Sequence, residues 1–511
     1  MRLLPRLLTG TALALIGTQT LALTAEEVWA NQTGYLISYG VNVSQTQTRD
    51  GAVLTISDIS YDISLPFGVG SISVKTAPQI MTENADGTVS ISFAGDNTIA
   101  VAATVRPDDM TEFYAAANID LTLTGYSAVA SGTANDVTYV THADLIEMTL
   151  TDLTLSGAPE AELVEVQAYL SVADRDTTSQ ITTGAATTLN STSTSGQTIT
   201  DYSFAFGEDF MSKTVSQQSG TEFSGSLTLP GGPINLMNIS QALRVGLALE
   251  FTANTTAGQS QAVTMSFGEM LSNQISTIGA VASTLRFDAS GLGISGSAAD
   301  IAIDVPVMAG VPFPMNAALG AVDYDFAFPV NASDQPAPVR YAFSMTDVTM
   351  NDDIWAMFDA GAALPRDPIS IRADIAGTVV IRNDLLDIEG MSQIIDAGGM
   401  PFDPRSVTIN ELSASGLGAT ATGSGEFTLD MSDLITFDGF PRPTGQATAT
   451  ITGVNGLLDN LISAGLLTTE DAMTGRLMMG MFARVAGDDQ LTSTFQINDQ
   501  GHVIANGQRI Q

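Results

Sequence analysis

The 511-residue sequence contains no cysteine, two histidines and two tryptophans. Only two of its 18 cations are lysines, Lys75 and Lys213, set against 55 acids for a formal charge of −37. Without cysteine there is no thiol nucleophile, disulfide, iron–sulfur cluster or cysteine-ligated zinc. His142 and His502 are each isolated in strand-like sequence. They form no histidine-cluster metal site, and a Ser–His–acid triad would have to use one of them. They read as ordinary strand or surface histidines. A pI near 4.1 excludes a basic nucleic-acid surface, whose affinity comes from neutralising phosphates. No Gly-x-Ser-x-Gly elbow, Ser-x-x-Lys pair, phosphate-binding loop or dinucleotide fingerprint occurs; Gly291-Leu292-Gly293 lacks the third glycine. No loop has EF-hand spacing, and Asp323-Tyr324-Asp325 and Asp352-Asp353 read as solvated turns or caps. The sequence therefore implies no catalytic group, no metal and no cofactor.

What is present is alternation. Charged residues make up 14% of the chain and aromatic ones 6%, so small and hydroxylated residues carry the pattern. Val53 to Ile63 alternates apolar and polar positions, the signature of a strand with one buried and one wet face. Asp50-Gly51 and Asp86-Gly87 read as hairpin turns between such runs, with Asn498 to Gly501 a weaker third. The expected fold is mainly β: large twisted antiparallel sheets with a few short packed helices, elongated. Asp174 to Thr200, rich in Ser and Thr, reads as a mobile loop or linker.

Arg2 and Arg6, an apolar run from Leu7 to Ile16, and small residues ending in Thr20-Leu21-Ala22 read as a secretory signal over residues 1–22. That run is too short to span a bilayer, and no later segment is long and apolar enough. The expected location is the periplasm, with no transmembrane anchor after signal cleavage. Pro230-Gly231-Gly232-Pro233 suggests a boundary between a β-rich half over 23–230 and a second over 231–511.

Thr24 to Glu27 forms a capping box that starts a helix carrying Val28, Trp29, Tyr35, Leu36 and Tyr39 toward a sheet. Further helices are expected from Pro107 to Tyr114, from Asp352 to Ala360, and as a pair near 455–485 broken at Gly465. In that pair Met473, Leu477 and Met481 make one stripe, with Met478 and Phe482 beside it. Flexible thioethers suit an apolar ligand or partner surface; the alternative, a helix packed onto a sheet, is the commoner role of such a stripe.

A soft repetition joins Ile56-Ser57-Asp58-Ile59, Leu150-Thr151-Asp152-Leu153, Met345-Thr346-Asp347-Val348 and Ile409-Asn410-Glu411-Leu412. Each reads as a strand whose acid lies on the wet face or at a bulge.

Trp355-Ala356-Met357-Phe358-Asp359 leads into Leu364-Pro365-Arg366-Asp367-Pro368. The C-terminal region carries Gly439 to Gly445, Met479 to Arg484 and Ala505 to Ile510. With Glu26-Glu27-Val28-Trp29, these segments resemble the alphaproteobacterial envelope family known as domain of unknown function 2125. The ending is distantly similar to YdgA-like periplasmic proteins. The resemblance implies an exported protein with no assigned activity, so no catalytic residue is carried over. Trp355, Asp359, Pro365, Arg366, Asp367 and Pro368 read physically as a rigid turn in which Arg366 pairs with Asp367 or Asp359.

These features point to a non-enzymatic periplasmic binding or scaffold protein with an apolar surface for a lipid or an envelope protein. An outer-membrane barrel is the first alternative, opposed by scarce aromatics and the ending Arg509-Ile510-Gln511. A hydrolase using paired carboxylates is the second. Osmotic shock separates these readings: the binding protein is expected in the shock fluid, whereas a barrel requires detergent.

Overall fold

A computed structural model describes residues 22–510 apart from 66–67, 96, 107–111, 158–163, 233 and 236. Of the expected secretory signal only Ala22 falls within the described residues. The period-two pattern is realised as 27 strands in one antiparallel sheet, with six helices among the described residues. Strand takes 63% of the chain against 12% helix, so the fold is mainly β. All described strands belong to one hydrogen-bonded sheet, and few side chains outside the N-terminal cluster are fully buried, as in a sheet one layer thick. Its surface of 29120 Å² far exceeds the roughly 18,000 Å² expected for a compact monomer of this mass. Among the described residues, strand Asn42–Asp50 pairs only with Val53–Ser64, and Gln508–Arg509 only with Val503–Ala505. Among the described residues the strand ladder does not close on itself into a ring.

A crease divides the sheet into two walls. Residues 164–172 of strand Val164–Thr182 pair with Thr198–Phe206, whereas residues 176–182 pair with Ala186–Ser195. Strand Phe210–Pro230 divides its partners likewise, with the break at Gly220. Strand Ala248–Ser266 pairs first with Val281–Asp288 and then with Glu269–Ile278, and Gly291–Met308 follows the same rule. A short wall and a long wall thus share strands along one line. The long wall continues alone to Gln490–Ile497. With strands about 4.8 Å apart, it extends on the order of 80 Å along its surface.

The crease has a residue code. Asp58, Asp174, Asp300 and Asp347 take left-handed φ angles of 54°, 48°, 52° and 56°. Aspartate is one of the few residues with a Cβ that enters this region readily, and a bulged strand bends there. A glycine lies beside three of them: Gly196 by Asp174 and Gly279 by Asp300, each in the short connection between two strands, and Gly320 by Asp347 within strand Met315–Phe328. A Cβ on these glycines would lie 3.2, 3.2 and 3.0 Å from a carboxylate oxygen. Of the two placements open for the repeated acids, the wet face or a bulge, those at 58, 152 and 347 take the bulge, and Glu411 also sits at a register shift.

The largest fully buried cluster lies at the N-terminal end. Helix α1 (Ala25–Ser38) begins with the capping box, Glu27 N donating to Thr24 Oγ1 and Thr24 N donating to Glu27 Oε2 at 2.9 Å. Its Ala25, Val28 and Trp29 pack on Leu54, Ile56, Met81, Val89, Ala130 and Val137 of the long wall. Buried Asn31 donates to the Ile181 carbonyl at 3.2 Å and accepts from the Tyr139 hydroxyl at 2.8 Å. Burial raises the Tyr139 pKa.

The remaining helices are α2 (Ile239–Arg244), α3 (Asp352–Ala356), α4 (Ile388–Asp396), α5 (Val454–Ser463) and α6 (Thr469–Phe482). The α5–α6 pair breaks at Gly465 as the pattern indicated, while α2 and α4 had no clear sequence signal. Three expectations are corrected. Asp174 to Thr200 is sheet, since β-branched threonines pair well even when few residues are apolar. Phe113 and Tyr114 open a strand, not a helix end, and residues 107–111 lie outside the described residues. Asp323 and Asp325 sit within a strand, although Asp352 and Asp353 do occupy the first turn of α3. The sheet runs through Pro230, because the strands on either side of it pair along their shared length.

Asp300→Ile forces a β-branched residue into the left-handed region and is expected to destabilise the protein by about 1–2 kcal/mol. Asp300→Asn should remain near wild type. Gly279→Val should lower the urea midpoint through its clash with Asp300. Urea unfolding followed by circular dichroism measures all three.

Candidate functional site

Register places apolar residues of successive strands side by side on one face of the long wall. Leu189, Leu227, Leu249, Phe287, Leu292 and Phe328 form one uninterrupted row. Phe251, Leu285, Ile294, Phe326, Tyr341, Ile375 and Ile409 form a second. The few aromatics concentrate here: Phe223 lies 6.2 Å from Phe251, Tyr324 5.8 Å from Phe326, and Phe326 5.0 Å from Tyr341. These spacings suit offset or tilted ring pairs. The rows are only partly covered: Tyr341 remains 50% exposed and Phe223 36%, and Leu292 and Ile294 are exposed as well. The N-terminal core residues Leu54, Met81, Ile91 and Ala128 continue the same face, where α1 covers it. The apolar face is thus plugged at one end and open beyond.

The opposite face is polar. Thr252, Thr284, Ser295, Asp325, Ala342, Asp374 and Glu411 form the register row behind the second apolar row. A shallow cavity of about 510 Å³ on this side contains Asp323, Asp325, Arg340 and Asp374. Arg340 joins two of these acids, at 2.6 Å to Asp325 and 3.3 Å to Asp374, while Asp323 accepts from Ser344 at 3.0 Å.

At the C-terminal end, α5 packs on the strand Ala419–Asp430 and on α6. Asp489 fixes its first turn, accepting from Asn455 N at 3.0 Å, Asn455 Nδ2 at 2.8 Å and Gly456 N at 3.0 Å. The Gly456 amide contributes most to holding the Asp489 carboxyl below its usual range. Gly453 before the helix has φ 78°, and a Cβ there would meet the Gly418 carbonyl at 2.3 Å. Arg476 of α6 joins the pair, donating to Asn455 Oδ1 at 3.1 Å and Asp459 Oδ1 at 2.6 Å.

The methionine stripe on α6 faces outward. Met473, Leu477, Met478 and Met481 are all at least half exposed, with Leu477 at 69%. The sheet-packed alternative does not hold for these four. Phe482 is half-buried, and its carbonyl accepts from Ser493 and Asn506. The stripe lies apart from the long apolar rows.

The predicted turn is present with different partners. Trp355 is buried, 5.2 Å from the Phe358 ring, and the Arg366 guanidinium lies 5.7 Å over its face. Fully buried Asp359 accepts from the amides of Ala363 and Leu364 at 2.9 Å each. Asp367, near Pro365 and Pro368, accepts from Gly418 N at 3.1 Å. Both acids are occupied by backbone donors, so Arg366 pairs with Asp352 and not with Asp359 or Asp367. This turn ties α3 to the end of the long wall.

His142 stands exposed on the polar face, 2.8 Å from Asp176 and 3.1 Å from Asp144. These two hydrogen bonds, that to Asp176 the stronger influence, raise its pKa above the usual 6.5. No group of three or more His, Cys, Asp or Glu suited to a metal occurs among the described residues.

A family model described as an uncharacterized protein conserved in bacteria (DUF2125) matches residues 242–507. No curated protein and no solved structure matches the chain. Titration of His142 by NMR should give a pKa above 6.5, and Asp176→Asn should move it down. Because the folded value is raised, charged His142 contributes fully to stability below pH 6.5. That contribution fades as pH rises through the folded value.

Proposed function

The chain belongs to the DUF2125 family of uncharacterised bacterial proteins, and we propose that it is an exported, non-enzymatic periplasmic protein that binds an amphiphile along its apolar face. One observation carries this reading. Apolar side chains run in register across many strands of one sheet, and they stay half-buried or exposed, with Tyr341, Leu292, Ile294 and Phe223 among the exposed ones. A soluble protein rarely leaves so large a contiguous apolar surface bare unless something occupies it. A hydrocarbon chain fits that surface, because it needs length and apolar contact and no specific hydrogen bonds.

Charge constrains the ligand. A chain of net charge −37 repels anionic headgroups, so a zwitterionic or neutral amphiphile fits better. The signal-like N-terminus supports export, and acidic, lysine-poor composition supports solubility in the envelope.

The test is purification from the periplasmic fraction followed by organic extraction and mass spectrometry. An amphiphile in near-stoichiometric amount is expected. Phe326→Asp should weaken binding of an anilinonaphthalene dye at least about tenfold, because it places a charge in the centre of the apolar rows. Recovery of no apolar molecule, together with dye binding unchanged by Phe326→Asp, overturns the reading.

A further inference from the structure

The long wall ends in a hollow. Ile371 pairs with Ala414, Ala414 with Ala421, and Ala421 with Ile451, so two alanines lie between two isoleucines on the apolar face. Small side chains in the middle of the row leave a depression that the flanking isoleucines wall in. Val454 and Leu457 of α5 border it, and Ile369 and Leu417 line its crease-side end. The resulting cavity has a volume of about 260 Å³. Its border is fixed in advance: Asp489 and Arg476 anchor α5, and the left-handed Gly453 sets its start. The site is therefore pre-formed and needs no ordering of a loop on binding.

We propose that this pocket receives the methyl end of a single acyl chain whose remaining length lies along the apolar rows. The inference rests on the amphiphile-binding reading and adds to it a fixed terminus and a chain-length preference. Lining chemistry selects the occupant, since the named side chains offer hydrocarbon contact and no charge. Volume selects one chain end, because an apolar cavity of about 150 Å³ accommodates the six carbons of benzene. A cavity of this size then holds about ten carbons. Ile371 belongs to the same face as Tyr341 and Ile375, so a chain can pass from pocket to rows without crossing a polar residue.

The test uses the full chain and monomeric lysophosphatidylcholines with acyl tails of eight to fourteen carbons. Calorimetry should show each added methylene tightening binding about threefold to fourfold. Ala421→Phe fills the hollow and should weaken binding of the twelve-carbon ligand at least tenfold, with dye binding along the rows retained. Leu457→Trp, at a helix surface that tolerates a larger side chain, is the second variant and should act in the same direction. Twelve-carbon binding unchanged in Leu457→Trp, and in Ala421→Phe where it folds, but lost in Phe326→Asp, overturns the pocket assignment and leaves the amphiphile reading standing. Absence of binding by the wild-type protein overturns both.

Discussion

A sheet one layer thick cannot bury its own apolar face, and that constraint organises the molecule. In a sandwich a second sheet would cover the rows from Leu189 to Phe328 and from Phe251 to Ile409. Here the rows stay half-buried or exposed, and the fully buried apolar residues are few for a chain of this length. Stability has to come from long backbone ladders, from neighbouring side chains half-covering one another along each row, and from local caps such as α1. The N-terminal cluster around Trp29 and Met81 is where the face is closed by the chain itself. The large surface area follows from the same cause.

The crease turns this weakness into a shape. A flat sheet with one apolar side would expose that side fully. Left-handed aspartates in four strands, three of them with a glycine alongside, mark the level at which the two walls part. The polar side is kept wet by hydroxyls and by ion pairs such as Asp325–Arg340–Asp374. Exposed pairs of this kind add little stability, and their role is to make the two faces chemically distinct.

How much could be read in advance follows from the range of each interaction. The alternation in Val53–Ser64, the Asp-Gly turns and the Thr24–Glu27 capping box act within a few residues, and all appear as expected. The acid at 58, 152 and 347 was recognisable as a recurrent strand feature because the pattern around it is local, but only pairing with the neighbouring strand decided between the wet face and a bulge. Asp174 and Asp300 do the same work without the hydroxyl-rich lead-in, so the pattern missed them. The Ser/Thr tract from Asp174 to Thr200 misled, because its low apolar content resembles a linker until its partner strands are known. The Met473 to Met481 stripe was readable as apolar and helical, but its outward orientation depends on how Arg476 docks α6 against α5. The partners of Arg366 likewise depended on backbone amides elsewhere claiming Asp359 and Asp367 first.

By itself the sequence determined that this protein is a mainly β chain with two-faced strands and a strongly acidic surface. Side-chain alternation and composition are local quantities that need no partner to be read. Only the tertiary structure decided that the apolar faces align across strands into continuous rows, that the sheet creases along one line, and that α5 borders a hollow at its end. Those features arise from register between segments distant in the chain, and a one-residue shift in any ladder would move its apolar set to the other side.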